Sequence, residues 1–165
     1  MRRFRLAAAL LLAGCAAAPR GPAAAPAEPC PAGVAPAARG GAWRLVRAEG
    51  FTFCVPAGWR ESAGGAAAWT GDGGTVAWGT GAYRPPERGV LAVQERAGAP
   101  AEMRRFAESI GGASADLWDD RVGDRHFTGA QWTRPRPVHL SGEAEGARAA
   151  ALQLDVYRTV RFAPR

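Results

Sequence analysis

Residues 16–41 are built from Ala, Pro and Gly with almost no large apolar side chain. A segment that cannot bury apolar surface cannot offset the entropy of ordering its backbone. Whatever this chain folds into must therefore come from residue 42 onward, which amounts to one domain's worth of sequence. The Pro-rich composition makes the preceding stretch a stiffened, disordered spacer, and its expected role is reach.

From residue 42 the pattern changes to that of strands. Phe51, Phe53 and Val55 alternate with Thr52 and Cys54, the period of a half-buried strand, and residues 43–47 precede them across Ala48, Glu49 and Gly50. This predicts a β-hairpin, ended by Pro56, which cannot donate to a ladder. A second hairpin is expected from residues 66–70 and 75–80 around Gly71, Asp72, Gly73 and Gly74. A phosphate cradle there would need a following helix, and residues 75–78 read as strand. Residues 81–89 read as an exposed loop, while residues 90–95 fit a short strand or irregular structure equally well. A third hairpin is expected at 115–122 and 125–132, turning on Gly123 and Asp124, with a short strand near 138–140 after Pro135 and Pro137.

Two helices are predicted. In residues 100–110, Met103, Phe106, Ala107 and Ile110 fall at i, i+3, i+4 and i+7, Pro100 suits a first turn, and Gly111 and Gly112 supply a stop. Residues 147–162 alternate like a strand and also carry the stripe Ala149, Leu152, Val156 and Val160. Their alanine content favours a helix to about Thr159. The expected fold class is α+β: an antiparallel sheet built from hairpins, with one or two packed helices.

The amino terminus reads as an address. Arg2, Arg3 and Arg5 precede an Ala/Leu run over residues 6–12, then small residues, the three-part layout of a secretory signal. The run is too short to span a bilayer. Small-residue cleavage sites at 16–18 and 23–25 are each followed by proline (Pro19, Pro26). The tetrapeptide Leu12, Ala13, Gly14, Cys15 fits better, and it resembles the lipobox of bacterial lipoproteins. That resemblance implies a thioether-linked diacylglyceryl group on Cys15, removal of residues 1–14, and a membrane anchor of two chains, which suffices for stable attachment. Ala16 after the cysteine, where an Asp would imply retention, implies the outer membrane facing the periplasm. The expected organisation is thus a signal peptide (1–14), a lipidated tether (15–41) and one globular domain (42–165).

Export sets the redox state. With Cys15 lipidated, Cys30 and Cys54 remain in an oxidising compartment, and a disulfide between them is the simplest outcome. The alternative is two free thiols, with Cys54 buried as a small hydrophobe. The run from Phe51 through Pro56 to Trp59 resembles the opening of exported domains of the Mog1/PsbP-like α+β fold, which implies architecture and nothing functional.

Chemistry is harder to find. The first three arginines supply half of the formal net charge of +6, and the chain has no lysine. The remaining arginines are dispersed among carboxylates, which argues against a nucleic-acid surface. No hydrolase elbow, zinc-protease motif, Cys-x-x-Cys pair or Walker loop is present. His126 and His139, joined by Asp120 or Asp124, could ligate a metal or serve a small hydrolase, and Cys54 could pair with His126 as a nucleophile. Asp116, Asp119, Asp120 and Asp124 gather around Trp118. They read as the solvated side of a hairpin neutralised by Arg121 and Arg125, or else as a calcium site, for which their spacing does not match an EF-hand loop, or a docking surface centred on Trp118, Asp119 and Asp120. Six tryptophans exceed what so small a core needs, so some are expected at the surface, where they could hold a partner, an apolar ligand or a glycan. No cofactor is implied. The expected function is a non-enzymatic interaction or accessory domain at the envelope, with another envelope protein as partner.

Overall fold

The structure, a computed structural model, describes residues 27–37, 40–62, 68–81, 98 and 101–163. The Cys15 segment, residues 82–97 and the first two residues of the second hairpin lie outside that set. The described chain forms ten strands and one helix: β1 (Trp43–Ala48), β2 (Phe51–Pro56), β3 (Arg60–Glu61), β4 (Ala68–Gly71), β5 (Gly74–Thr80), β6 (Ala101–Ile110), β7 (Ala113–Val122), β8 (Arg125–Trp132), β9 (Val138–Glu145), α1 (Ala147–Arg158) and β10 (Arg161–Phe162). The strands make a three-stranded sheet, β1-β2-β10, and a seven-stranded sheet, β3-β4-β5-β9-β8-β7-β6. Every pairing is antiparallel. This is the α+β class.

The three expected hairpins form. β1 pairs with β2, β4 with β5 and β7 with β8. Asp72 and Gly73, both at positive φ (50° and 76°), make the β4–β5 turn, so the glycine-rich loop is a hairpin turn and not a phosphate cradle. The strand near 138–140 runs on to Glu145, and the terminal helix ends at Arg158.

The helix expected at 100–110 is a strand. β6 pairs with β7 along its whole length, from Ala101 opposite Val122 to Ile110 opposite Ala113. Gly111 and Gly112, expected to stop a helix, both have positive φ (60° and 79°) and form the two-residue turn that this hairpin requires. The stripe was a coincidence of spacing. Only Phe106 and Ile110 of the four reach the core, and Met103 is 52% exposed. Pairing with β7 along all ten residues bonds the main-chain groups that face β7, and with the side-chain contacts across the pair this outweighs a weak helical propensity.

Alternation along the strands places Thr128, Ala130 and Trp132 of β8, Val138 and Leu140 of β9, Val76 and Trp78 of β5 and Leu117 of β7 on one face of the larger sheet. The smaller sheet and α1 cover that face. Phe51 packs edge-on to Trp78 with centroids 5.5 Å apart, and Phe162 to Trp132 at 6.0 Å. Phe53, Val55, Tyr157 and Val160 complete the core. The end of α1 is fixed to β2 by Thr159, whose Oγ1 accepts from the Cys54 main-chain N–H at 2.8 Å.

Candidate functional site

The chain just before β1 is tied to the domain by four separate contacts. Cys30 N–H donates to the Trp43 carbonyl at 2.9 Å, and Leu45 N–H donates to the Glu28 carbonyl at 2.7 Å. Pro29 forms a bridge with Arg44, so residues 28–30 run antiparallel along the outer edge of β1. Arg47 donates both Nε and Nη2 to the Glu28 carboxylate, at 3.0 and 2.6 Å. Cys30 and Cys54 are joined by a disulfide with Cα atoms 5.8 Å apart. The expected pairing is formed. Its effect is to clip the far end of the Pro/Ala stretch onto β1 and β2 and to cover a strand edge that would otherwise be open.

Beside this clip lies a cleft of about 530 Å³ whose lining includes Gly40, Trp43, Pro56, Asp72, Arg148 and Leu152. It is formed where the start of β1, the turn after β2, the β4–β5 turn and the first turns of α1 meet. Asp72 is held in place by the Trp59 indole, whose Nε1 donates to Oδ2 at 2.9 Å. Trp59 itself lies against Gly71, where a Cβ would stand 2.3 Å from the ring. Among the described residues lining the cleft are one indole, one guanidinium and the carboxylates of Asp72 and Glu145, with no Ser, Thr, Cys or His. Such a lining can bind a polar or mixed-charge segment, and its two carboxylates are the groups in it able to act as a nucleophile or a general base.

The residues singled out for chemistry are kept apart. His126 lies opposite Ala144 on β9, five residues from His139, which separates them by about 17 Å and places them on opposite faces of the sheet. They cannot share a metal or a substrate. His126 Nδ1 donates to Asp119 Oδ1 at 2.7 Å, with both side chains buried. His139 Nδ1 faces the Gly81 carbonyl at 3.4 Å, and burial holds its pKa below the ordinary histidine value against the raising effect of that carbonyl. Cys54 is fully buried in its disulfide and cannot act as a nucleophile. Among the described residues no group of three or more His, Cys, Asp or Glu side chains is placed to hold a metal ion, and no helix is long and apolar enough to cross a membrane.

Two of the four aspartates are not solvated: Asp119 and Asp120 are 7% and 1% exposed, whereas Asp116 and Asp124 are exposed, and Trp118 is 2% exposed. Adjacent strand residues point to opposite faces, so Trp118 and Asp120 share one side of β7 while Asp119 lies on the other, with His126. The three form no common exposed surface. Nor are Arg121 and Arg125 their partners: these pair with Glu102 and Glu143. Asp120 is held by Arg105 in a two-pronged contact, Nη2 to Oδ2 at 2.9 Å, and Arg104 stands 3.8 Å from Asp119. Both arginines lie on β6, the strand read as a helix, which is why the sequence did not reveal them. The tryptophans are also corrected: all but Trp78 are less than a tenth exposed, and Trp78 is itself packed on Phe51. Trp118 lies flat over Gly129, where a Cβ would come within 2.0 Å of the indole.

Arg148 is a functional candidate that the sequence did not single out, and Asp72, which the sequence marked only as a turn residue, joins it in the cleft lining with Trp59 holding its carboxylate.

No family model matches the chain, and no curated protein matches it. Among solved structures it is similar to the solution structure of cyanobacterial PsbP (CyanoP) from Synechocystis sp. PCC 6803, at 12% sequence identity and a TM-score of 0.49, over 73% of this chain and 92% of that one.

Proposed function

We propose that this chain is a lipid-anchored accessory domain of a bacterial cell envelope, without catalytic activity of its own, that holds a segment of another envelope protein beside its tether. Attachment is through a diacylglyceryl group on Cys15, and the protein stands at the outer membrane facing the periplasm. The observation that carries this reading is the clip at residues 28–30. A domain held by a leader gains from having the leader's end fixed by a disulfide and paired main chain, because tension on the anchor then acts on the β1–β2 sheet edge and not on a free terminus. The cleft beside the clip supports a binding role, since its lining joins an indole, a guanidinium and two carboxylates.

Two measurements test it. Cys15→Ser should release the protein from washed membranes and abolish incorporation of labelled palmitate. Retention of both would remove the anchor. Photo-crosslinking from position 152 in intact envelopes should capture one recurrent protein, and Arg148→Glu should abolish the adduct. An adduct unchanged by that substitution would remove the cleft as the binding site.

A further inference from the structure

β6 ends the larger sheet, and among the described residues no strand pairs with its outer edge. It is ten residues long; Glu102 to Arg105, Ala107 and Ser109 are exposed, while Phe106 and Glu108 are half-buried. An open edge of this length presents a row of unpaired N–H and C=O groups, a template for another strand. The opposite end of the sheet, by contrast, is the two-residue β3. Charged residues commonly guard such an edge, and β6 carries four: Glu102, Arg104, Arg105 and Glu108. Their order decides what the edge repels and what it accepts.

From that order we propose that β6 pairs antiparallel with β6 of a second copy of this chain, around a two-fold axis at Phe106, joining two seven-stranded sheets into one. Such an axis runs along the sheet normal and keeps each face continuous, so residue 106 meets its own copy and residues equally distant on either side meet each other. Arg104 then stands opposite Glu108 of the second copy, and this pair occurs twice. Phe106 meets Phe106, Met103 meets Ser109, Arg105 meets Ala107 and Glu102 meets Ile110.

The neighbouring registers that keep the faces continuous are worse. Centred on Arg105, the pairing sets Arg105 against itself and Glu102 against Glu108, and like charges directly opposite are destabilising. Centred on Ala107, it leaves every charge of the strand opposite an uncharged residue. The remaining charges also suit the proposal. Glu102 and Arg105 are engaged within the chain by Arg121 and Asp120 at hydrogen-bond distance, whereas Arg104 stands 3.8 Å from Asp119 and its side chain is 70% exposed. Glu108 accepts from Arg158 at 2.7 and 2.9 Å, and a carboxylate has about four acceptor positions, so it can take a second guanidinium.

The test uses the full chain with Cys15→Ala, so that Cys30 and Cys54 are bridged and no other thiol is present. Phe106→Cys should form an interchain disulfide under mild oxidation. Met103→Cys should not, because in this register its two copies lie six residues, about 20 Å, apart. Since Phe106 packs against the core, the second arm leaves it in place: sedimentation of the Cys15→Ala chain should show a dimer that weakens with added salt, and Arg104→Glu should raise its dissociation constant at least about tenfold. A monomer persisting to about 1 mM, a dimer indifferent to Arg104→Glu, or crosslinking at position 103 equal to that at 106 would each overturn the pairing. So would a chain that is monomeric alone and gains protection of the β6 amides only when another envelope protein is added.

Discussion

The side chain of Gln153, midway along α1, donates from Nε2 to the main-chain carbonyl of Thr75 at 2.8 Å, reaching from the helix into a strand that precedes it by 78 residues. The same nitrogen donates to the Glu143 carbonyl at 2.7 Å, and Oε1 accepts from the Thr128 hydroxyl at 2.5 Å. Gly74 and Gly142 make room: a Cβ at either would stand less than 3 Å from Nε2. Three strands, β5, β9 and β8, are thereby fastened to one fully buried amide.

Gln153→Leu should therefore be costly although it conserves volume. It takes the amide donor from two carbonyls in a dry site and leaves the Thr128 hydroxyl with Tyr157 alone, at roughly 1–3 kcal/mol for each group left unsatisfied. A loss of about 3 kcal/mol or more is expected from urea denaturation. A loss below 1 kcal/mol would mean that water enters and replaces the amide.

Removing the Cys30–Cys54 bridge should destabilise through the unfolded chain. The bridge closes a separation of 24 residues, for which loop entropy predicts about 3 kcal/mol. The paired variant Cys30→Ala, Cys54→Ala should show this in chemical denaturation. It should also speed amide exchange at Cys30 and Leu45, whose hydrogen bonds to Trp43 and Glu28 the clip maintains. Unchanged exchange at those two amides would show that the main-chain pairing stands without the disulfide.

Asp119 and His126 form a buried pair in which the carboxylate can only accept, so Nδ1 carries the proton. Asp119→Ala strands the imidazole N–H and should cost about 1–3 kcal/mol. Asp119→Asn keeps an acceptor and should cost less. Equal losses for the two variants would argue that packing, not the hydrogen bond, is what the site requires.

His139 should make the protein less stable in mild acid. Burial places its folded pKa below the ordinary value of about 6.5, despite the Gly81 carbonyl. The neutral form is thus favoured by folding. The stability this provides is fully present above pH of about 6.5 and is lost as pH falls through the folded pKa. Unfolding free energies measured between about pH 7 and pH 5 should fall more steeply for the native chain than for His139→Gln. An NMR titration midpoint for His139 above the unfolded value would reverse the sign and exclude the effect.

Much of the fold was legible because its signals are local. Strict alternation in residues 51–55, the turn residues between β4 and β5 and between β7 and β8, and the alanine-rich final helix each specify their own backbone within a few residues. β6 was not legible. Residues 100–110 satisfy a helical stripe and, at Glu102, Arg104, Phe106, Glu108 and Ile110, a weaker strand period as well. The choice between them was made by β7, which follows across the two-residue turn at Gly111 and Gly112. That one misreading hid Arg104 and Arg105 as partners of Asp119 and Asp120, and so turned two buried carboxylates into part of a supposed acidic surface. The candidate cleft was illegible for a related reason: Trp43, Asp72 and Arg148 come from three distant parts of the chain and meet only when two sheets and a helix pack.

By itself, the sequence determined which cysteines could pair and the α+β class, because composition and short-range periodicity act within one element at a time. Only the tertiary structure decided that residues 101–110 extend, that five of six tryptophans are internal, and that His126 and His139 lie on opposite faces of a sheet. Strand pairing and burial are contracts between distant segments, and no single segment carries their terms.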